Sequence, residues 1–342
     1  MATTSSTPQP SQQPLATPGA VAEDQRTPIS LGRESGSVLV LLIFVAALIL
    51  TTSDFLTITN LDNLVNQVAV FAILSVGELF VILTGGIDLS VGSILGLSGG
   101  VTALILTSGV SIPVAILVGL GAGLAVGLIN GLLVTQMKLP PFIATLGMLG
   151  VARGLVLLLT GAKTIAPLPD AFSNIANGYI LGLPNLFWIL IIVTIIAAFV
   201  LGRTIFGRYV YAVGSNAESS RLSGVPVNFV LLGVYSISGL LAGFAGILTA
   251  SRLGAGIPTA GTGYELQAIA GAVIGGASLS GAKGRAIGAV LGAVIMALLA
   301  NGGNLLGIDP FYLQIAIGLL IIMAVYFDHL QGGAIKFLRF AK

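Results

Sequence analysis

Long apolar segments follow one another along almost the whole chain, and they constrain the fold more than any other feature. Between Asp62 and Lys138 the only charged residues are Glu78 and Asp88. Charged residues make up 8% of the chain, whereas a soluble domain has about 25%. Such a chain has too few charges to cover a water-facing surface. The sequence therefore predicts a polytopic membrane protein.

The apolar segments predict an all-α fold with about ten transmembrane helices. A helix needs about 20 apolar residues to cross ~30 Å of hydrocarbon, and several segments reach that length. The shorter segments are candidates for broken helices. The predicted spans are 37–53, 64–84, 89–108, 112–135, 141–160, 184–202, 227–250, 266–282, 286–303 and 310–327.

The basic residues predict how these helices are oriented. If the N-terminus is cytosolic and ten helices cross the membrane, eleven of the 14 Lys and Arg residues fall at the inner ends. Lys163 and Arg252 fall in outer loops, and Arg153 lies within a span. An excess of basic residues on the cytosolic side is typical of membrane proteins. The pattern therefore predicts that both termini are cytosolic.

Polar segments divide the chain. Residues 1–35 are rich in Ser, Thr, Pro and Gln, which predicts a disordered cytosolic tail. A transmembrane domain is expected over 36–330, followed by a basic cytosolic tail at 331–342. Within the domain, the outer loop 161–183 and the inner loop 203–226 are long. A weak resemblance between "TGGIDLSVGSILGLSGG" and "IGGASLSGAKGRAIGAV" suggests an internal repeat.

The stretch "ILTGGIDLSVGS" predicts a break between two membrane helices. Gly85 and Gly86 tolerate backbone angles that other residues avoid. Asp88 and Ser90 are good N-cap residues for a helix beginning near Leu89. The same polar groups are also candidates for the lining of a translocation path, because ionisable residues at membrane depth are often functional. The sequence leaves both roles open.

Two further ionisable residues lie inside predicted spans. Glu78 is expected to be a neutral acid that is hydrogen-bonded to a neighbouring helix, although a role in transport is an alternative. Arg153 needs either a salt bridge or backbone carbonyls as partners. Both are therefore candidates for the translocation path.

The inner loop contains a complete short helix, "VGSNAESSRLSGV". Ser215 or Asn216 can cap its start, and Glu218 and Arg221 are spaced to pair on one face. Gly224 is a plausible stop. A helix with both signals favours a docking element over a solvated connector.

Signals of catalysis and metal binding are missing from the sequence. It has no phosphate-binding loop of the G-x-x-x-x-G-K-[ST] type and no cysteine. His329 is its single histidine, so no histidine cluster or Ser-His-Asp triad can form. We therefore expect neither an enzyme nor a metal site.

Taken together, "ILTGGIDLSVGS", "TLGMLGVARGLVLLLTG", "GRYVYAVGSNAESSRLSGVPV", "GTGYELQAIAGAVIGGASLSG" and "AIGLLIIMAV" resemble the permease subunit of ABC importers for monosaccharides. The resemblance covers about residues 36–330. It implies a plasma-membrane protein that moves a small sugar by alternating access. It also implies a second permease chain, two cytosolic ATP-binding subunits and an extracytoplasmic sugar-binding protein. This chain itself would need no cofactor, because the partner subunits use the ATP.

The resemblance also implies that the short inner helix docks into the ATP-binding subunit. The chain has Ser219 and Ser220 where the family usually has two alanines. The residues expected to take part in docking are Gly214, Asn216, Ala217, Glu218, Arg221, Ser223, Gly224 and Val225.

Three other functions compete with this interpretation. A proton-coupled secondary transporter would use Glu78 and Asp88 as proton sites. A permease for an amino acid or another small metabolite would share the same fold. A passive channel is poorly supported, because no stretch resembles a selectivity filter.

Overall fold

The computed structural model describes residues 31–309, 311–323 and 326. The predicted tail 331–342 and residues 1–30 of the predicted tail 1–35 lie outside this part of the chain. The helices are α1 Leu31–Thr51, α2 Ile58–Leu83, α3 Val91–Thr107, α4 Ile112–Thr135, α5 Pro141–Thr160, α6 Asp170–Asn177, α7 Asn185–Arg203, α8 Ile205–Ser215, α9 Ala217–Leu222, α10 Val227–Leu253, α11 Tyr264–Ile274, α12 Ala286–Leu305 and α13 Phe311–Met323. The strands β1 Tyr179–Ile180 and β2 Leu183–Pro184 form one antiparallel hairpin.

An apolar helix lies in each of the ten predicted spans. Within the described ranges, α2, α4, α5, α7, α10 and α12 are long and apolar enough to cross a membrane. The apolar stretches of α1, α3, α11 and α13 are shorter, at 10–17 residues. The described residues therefore form an all-α polytopic membrane protein. That all ten apolar helices cross the membrane stays a prediction.

Of the helix boundaries that differ from the sequence-based expectation, two have a clear local cause. Helix α11 ends at Ile274 rather than at 282, because Gly276 takes a left-handed φ of 96° that stops the helix. Helix α2 begins earlier than 64, because the Thr57 side chain accepts a hydrogen bond from the Asn60 N–H and caps it. Hydropathy alone does not resolve either signal.

Short elements fill the two loops that the sequence singled out. The outer loop contains α6 and part of the β-hairpin, and the inner loop contains α8 as well as the predicted α9. Helix α8 was missed, and it places the predicted docking helix directly after another helix.

Helix α2 forms the centre of the bundle. Every residue from Val68 to Leu83 is buried, and a helix that is buried on all sides lies in the core of a large domain. Helix α10 packs against α2, α3 and α4. The α4–α10 contact needs glycine, because a Cβ added at Gly123 would lie 2.8 Å from the Gly243 Cα.

Helices α4, α5 and α7 form the outside of this bundle. Large apolar side chains such as Leu117, Leu158 and Ile195 are more than half exposed there. Exposed apolar faces on full-length apolar helices are suited to contact lipid.

The two ends of α2 mark two ends of the bundle. At the first, the Tyr179 hydroxyl of the hairpin donates to Asp62 at 2.6 Å. At the second, the Leu83 carbonyl accepts a hydrogen bond of 2.9 Å from the Ala282 N–H. A rise of 1.5 Å per residue separates them by about 30 Å. We call the first the hairpin end. We call the second the α9 end, because the end of α8, which directly precedes α9, packs against it.

Candidate functional site

Side-chain caps define the two short helices at the α9 end. The Thr204 side chain accepts a hydrogen bond of 3.1 Å from the Gly207 N–H and starts α8. Asn216 Oδ1 accepts one of 2.8 Å from the Ser219 N–H and starts α9. The extended backbone of Asn216 separates the two helices. The predicted capping by Asn216 is confirmed.

Helix α9 ends in a Schellman motif. Gly224 has a left-handed φ of 83°, and its N–H donates to the Arg221 carbonyl at 3.0 Å. The Val225 N–H donates to the Ser220 carbonyl, also at 3.0 Å. The predicted helix stop at Gly224 is confirmed. Caps at both ends therefore fix a helix of only six residues.

Helix α9 presents most of the predicted docking residues to solvent. Glu218 and Arg221 form an exposed ion pair of 3.0 Å, which stabilises the helix only slightly. Leu222, which the sequence analysis did not include among the docking residues, is 83% exposed. The other exposed members of the predicted set are Asn216, Ala217, Ser223 and Gly224, whereas Gly214 and Val225 are partly buried.

Gly214, near the end of α8, connects the exposed helix α9 to the buried end of α2. A Cβ added at Gly214 would overlap the Leu83 carbonyl oxygen and lie 2.7 Å from the Ala282 N. The Tyr211 hydroxyl donates to the Gly284 carbonyl at 2.8 Å. Burial raises the pKa of the Tyr211 phenol, which favours this neutral donor. Three segments therefore meet here: the end of α8, the end of α2 and residues 275–285.

The predicted break between α2 and α3 is confirmed. Gly85 has a left-handed φ of 80°, and the Gly86 N–H donates to the Val81 carbonyl, which ends α2. A Cβ added at Gly86 would lie 2.5 Å from the Tyr235 hydroxyl oxygen. The following Ile87 carbonyl accepts from Thr145. The break therefore packs against α5 and α10.

Asp88 lies at the centre of a buried polar cluster. Its Oδ1 accepts hydrogen bonds from the Ser90 N–H at 3.0 Å and the Ser90 hydroxyl at 2.6 Å. Its Oδ2 accepts from the Ser238 hydroxyl at 2.9 Å. Asn130 donates to the Ser90 hydroxyl oxygen at 2.8 Å. Asp88, Ser90, Asn130 and Ser238 are fully buried and tie the break to α4 and α10.

Ser90 occupies the N-cap position of α3, as the sequence predicted, but neither Asp88 nor Ser90 caps the helix with its side chain. Helix α3 begins at Val91, and its N-cap Ser90 makes no side-chain cap bond. The Ser90 backbone is in the αR region rather than the extended conformation typical of an N-cap, and its hydroxyl oxygen already accepts a hydrogen bond from Asn130. Asp88 closes the turn before the helix instead of capping the helix itself.

Glu78 also contacts this break rather than a neighbouring helix. Its Oε1 accepts a hydrogen bond of 3.0 Å from the Asp88 N–H. In the described part of the chain, Glu78 Oε2 and the Tyr235 hydroxyl have no hydrogen-bond partner. Both side chains are fully buried. The carboxyl groups of Glu78 and Asp88 therefore belong to the same buried polar cluster.

Arg153 lies apart from that cluster and satisfies irregular backbone. Its guanidinium donates to the carbonyls of Pro258 at 2.5 Å, Ala260 at 2.9 Å and Gly92 at 3.3 Å. Carbonyl partners were one of the two predicted solutions. Non-helical backbone at membrane depth persists only where protein or water satisfies it. Arg153 therefore holds the α10–α11 connection against α3.

We expect Arg153→Met to destabilise the permease while preserving side-chain bulk. A hydrogen bond to a charged group contributes about 1.5–3 kcal/mol, and the variant removes three of them. The thermal midpoint of the purified protein should fall clearly, and Arg153→Lys should recover part of the loss. An unchanged midpoint in Arg153→Met would contradict this role.

Sequence reasoning missed Asn130, Ser238, Tyr235 and Thr145, which complete the break. The available signal was weak: each is a polar group within a long apolar helix. It gave no indication of which partner each one reaches.

Comparison with known proteins gives consistent matches. Residues 60–325 match the family described as branched-chain amino acid transport system / permease component. The ribose import permease protein of Escherichia coli K12 is 43% identical over 300 residues, or 86% of this chain and 94% of the relative. That of Bacillus subtilis 168 is 43% identical over 295 residues, or 86% and 92%.

A third relative is named for a different sugar. The D-allose transport system permease protein of Escherichia coli K12 is 41% identical over 282 residues, or 82% of this chain and 86% of the relative. No solved structure gives a significant match. The family match includes α9, and the chain belongs to the family of branched-chain amino acid transport system permease components.

Proposed function

We propose that this chain is the permease subunit of an ATP-driven importer that moves a monosaccharide across the plasma membrane by alternating access. Ribose, allose and arabinose are the first candidate substrates, because relatives are named for them; the one named for L-arabinose, from Azospirillum brasilense, is 35% identical over 294 residues, or 86% of this chain and 87% of the relative. The chain makes and breaks no covalent bond and needs no cofactor, since its partner subunits bind and hydrolyse ATP.

The junction at Gly214 is the observation that carries the mechanism. The exposed helix α9 follows Gly214, and Gly214 packs on the end of α2, next to the break at Gly85. A push on α9 would therefore act directly on the segment that joins α2 to α3. Alternating access requires such a link between the energy source and the core helices.

The wider arrangement follows from this assignment. All ten apolar helices would cross the membrane, with both termini and α9 in the cytosol. Two cytosolic ATP-binding subunits, a second permease chain and an extracytoplasmic sugar-binding protein would complete the importer. Gly85, Gly86, Asp88 and Ser90 would form the moving break, and Arg153 would support its surroundings.

The alternatives are less well supported. A proton-coupled transporter would use Glu78 and Asp88, yet both carboxyl groups are buried and hydrogen-bonded to the break. It would also have no use for the capped helix α9. Although the family description includes amino acids, the relatives cited above are named for sugars.

We expect Leu222→Asp to block assembly with the ATP-binding subunits. Leu222 is 83% exposed, so the substitution leaves the fold intact, and a central interface residue contributes about 2 kcal/mol or roughly 30-fold in affinity. The measurement is co-purification with the ATPase, together with ATP-dependent uptake of ribose, allose and arabinose.

Met137→Asp is the matched control. Met137 is 64% exposed and lies in the α4–α5 connection, outside α9. This variant should assemble and transport normally. Full uptake by Leu222→Asp would contradict the docking role, and uptake that follows the proton gradient without the ATPase would overturn the importer proposal.

A further inference from the structure

A polar cavity opens at the hairpin end, on the opposite side of the bundle from α9. Its volume is ≈ 360 Å³. Small-molecule sites span about 300–1,000 Å³, so this cavity suits a small ligand. Its polar lining comes from the first turns of α2, the end of α6 and the hairpin: Thr59, Asp62, Asn63, Asn66, Asn177 and Tyr179.

The chemistry of this lining favours a neutral ligand that carries many hydroxyl groups. The lining contains no Lys, Arg or His, and its one carboxylate, Asp62, accepts a hydrogen bond of 2.6 Å from the Tyr179 hydroxyl. An anion would meet no positive charge there. The amide groups both donate and accept hydrogen bonds, as sugar hydroxyls require.

Asn66 provides a second, independent indication of a ligand. Its Oδ1 is buried, and no described residue gives it a hydrogen-bond partner. A buried acceptor without a partner is costly and needs an explanation in a native protein. Because Oδ1 itself has almost no solvent-accessible surface, a ligand hydroxyl in the cavity would donate to it only after the Asn66 side chain turned towards the cavity.

The walls of the cavity are held in place before any ligand arrives. The Ser251 hydroxyl of α10 donates to the Phe172 carbonyl at 2.6 Å and accepts from the Ala176 N–H at 3.1 Å. Asn177 Nδ2 donates to the Arg252 carbonyl at 3.1 Å. These bonds fix α6 on α10, so binding would need little rearrangement.

We propose that this cavity binds a neutral monosaccharide at the entrance of the permease. The inference rests on the proposed function, which makes a sugar the transported solute. Asn66 and Asn63 would bond its hydroxyls, while the Asp62–Tyr179 pair would hold the opposite wall. The site would receive the sugar before the helices reorient.

Thiol protection tests the site in the assembled importer. The chain contains no cysteine, so Asn63→Cys gives the permease a single thiol at the cavity. Its rate of labelling by a maleimide is measured while ribose, allose or arabinose is titrated. At ten times Kd, a bound sugar should slow the labelling roughly tenfold. Thr59→Cys places a second reporter in the same lining, in case Asn63→Cys weakens binding.

Three controls give the result its meaning. Asn304→Cys places an exposed thiol on α12, outside the cavity lining, and its labelling should ignore sugar. Betaine at equal osmolarity should protect no position. Asn66→Leu, added to either reporter, should abolish the protection by removing the unpaired acceptor.

The two hypotheses fail in different ways. If the wild-type importer takes up a sugar with ATP but that sugar protects neither reporter, the cavity inference is overturned and the importer stands. Protection that betaine reproduces, or that survives Asn66→Leu, also overturns the cavity inference. If the wild-type importer takes up none of the three sugars in an ATP-dependent way, the proposed sugar import is overturned.

Discussion

Gly214→Ala is expected to reduce ATP-dependent uptake by about 5- to 150-fold, which corresponds to a coupling loss of about 1–3 kcal/mol. Alanine normally stabilises a helix relative to glycine. Here, however, its Cβ would overlap the Leu83 carbonyl oxygen and lie 2.7 Å from the Ala282 N. Both are backbone atoms, so no side chain can rotate away. The end of α8 must therefore move off the end of α2.

A matched substitution separates this effect from the general cost of adding a methyl group. Gly202 lies in α7, and nothing would lie within 4 Å of a Cβ added there. Gly202→Ala should transport at close to the wild-type rate. Membrane-inserted protein must be quantified for both variants, because loss of Gly214→Ala from the membrane would lower uptake by itself.

A milder change at the same junction guards against a folding defect. Tyr211→Phe removes only the hydroxyl that donates to the Gly284 carbonyl. It should give a smaller loss of uptake with normal protein levels. If Gly214→Ala is inserted and transports at the wild-type rate, the junction does not couple α9 to the core.

The local features of this fold were predictable from local sequence. Hydropathy placed an apolar helix in every predicted span, because about 20 apolar residues have few alternatives in a membrane. The start of α9 at Asn216 and its stop at Gly224 were also predictable. Each depends on a side chain or a φ angle that acts within a few residues.

Features that depend on distant segments were not predictable in the same way. The sequence indicated that Asp88 is buried, but not that Ser238, 150 residues away, donates to it. It indicated that Arg153 needs partners, but not that they are carbonyls at Pro258 and Ala260. Partners of this kind follow from how helices pack, which a single sequence does not encode locally.

The missing side-chain cap at the start of α3 has the same origin. Asp88 and Ser90 satisfy local capping preferences, so a helix starting between them was a reasonable interpretation. Ser238 and Asn130 compete for the same polar atoms and draw them into a cluster. Tertiary hydrogen bonds therefore outweighed the local preference.

Asp88→Leu is expected to destabilise the permease by roughly 3–5 kcal/mol, since each buried group left without a partner costs about 1–3 kcal/mol. The substitution leaves the Ser90 N–H and the Ser238 hydroxyl without their acceptor. It also removes the group that bonds the Ser90 hydroxyl. The measurement is the thermal midpoint of the purified protein, with the fluorescence of its single tryptophan, Trp188, as the readout.

Two comparison variants show whether the carboxylate acts through structure or through transport. Asp88→Asn keeps one acceptor oxygen, so it should lose far less stability. Asp54→Leu removes an exposed carboxylate and should change stability by no more than about 0.5 kcal/mol. If Asp88→Leu melts at the wild-type temperature yet transports nothing, Asp88 acts on the solute rather than on the fold. If its stability and transport fall together and Asp88→Asn restores both, Asp88 serves to hold the break between α2 and α3.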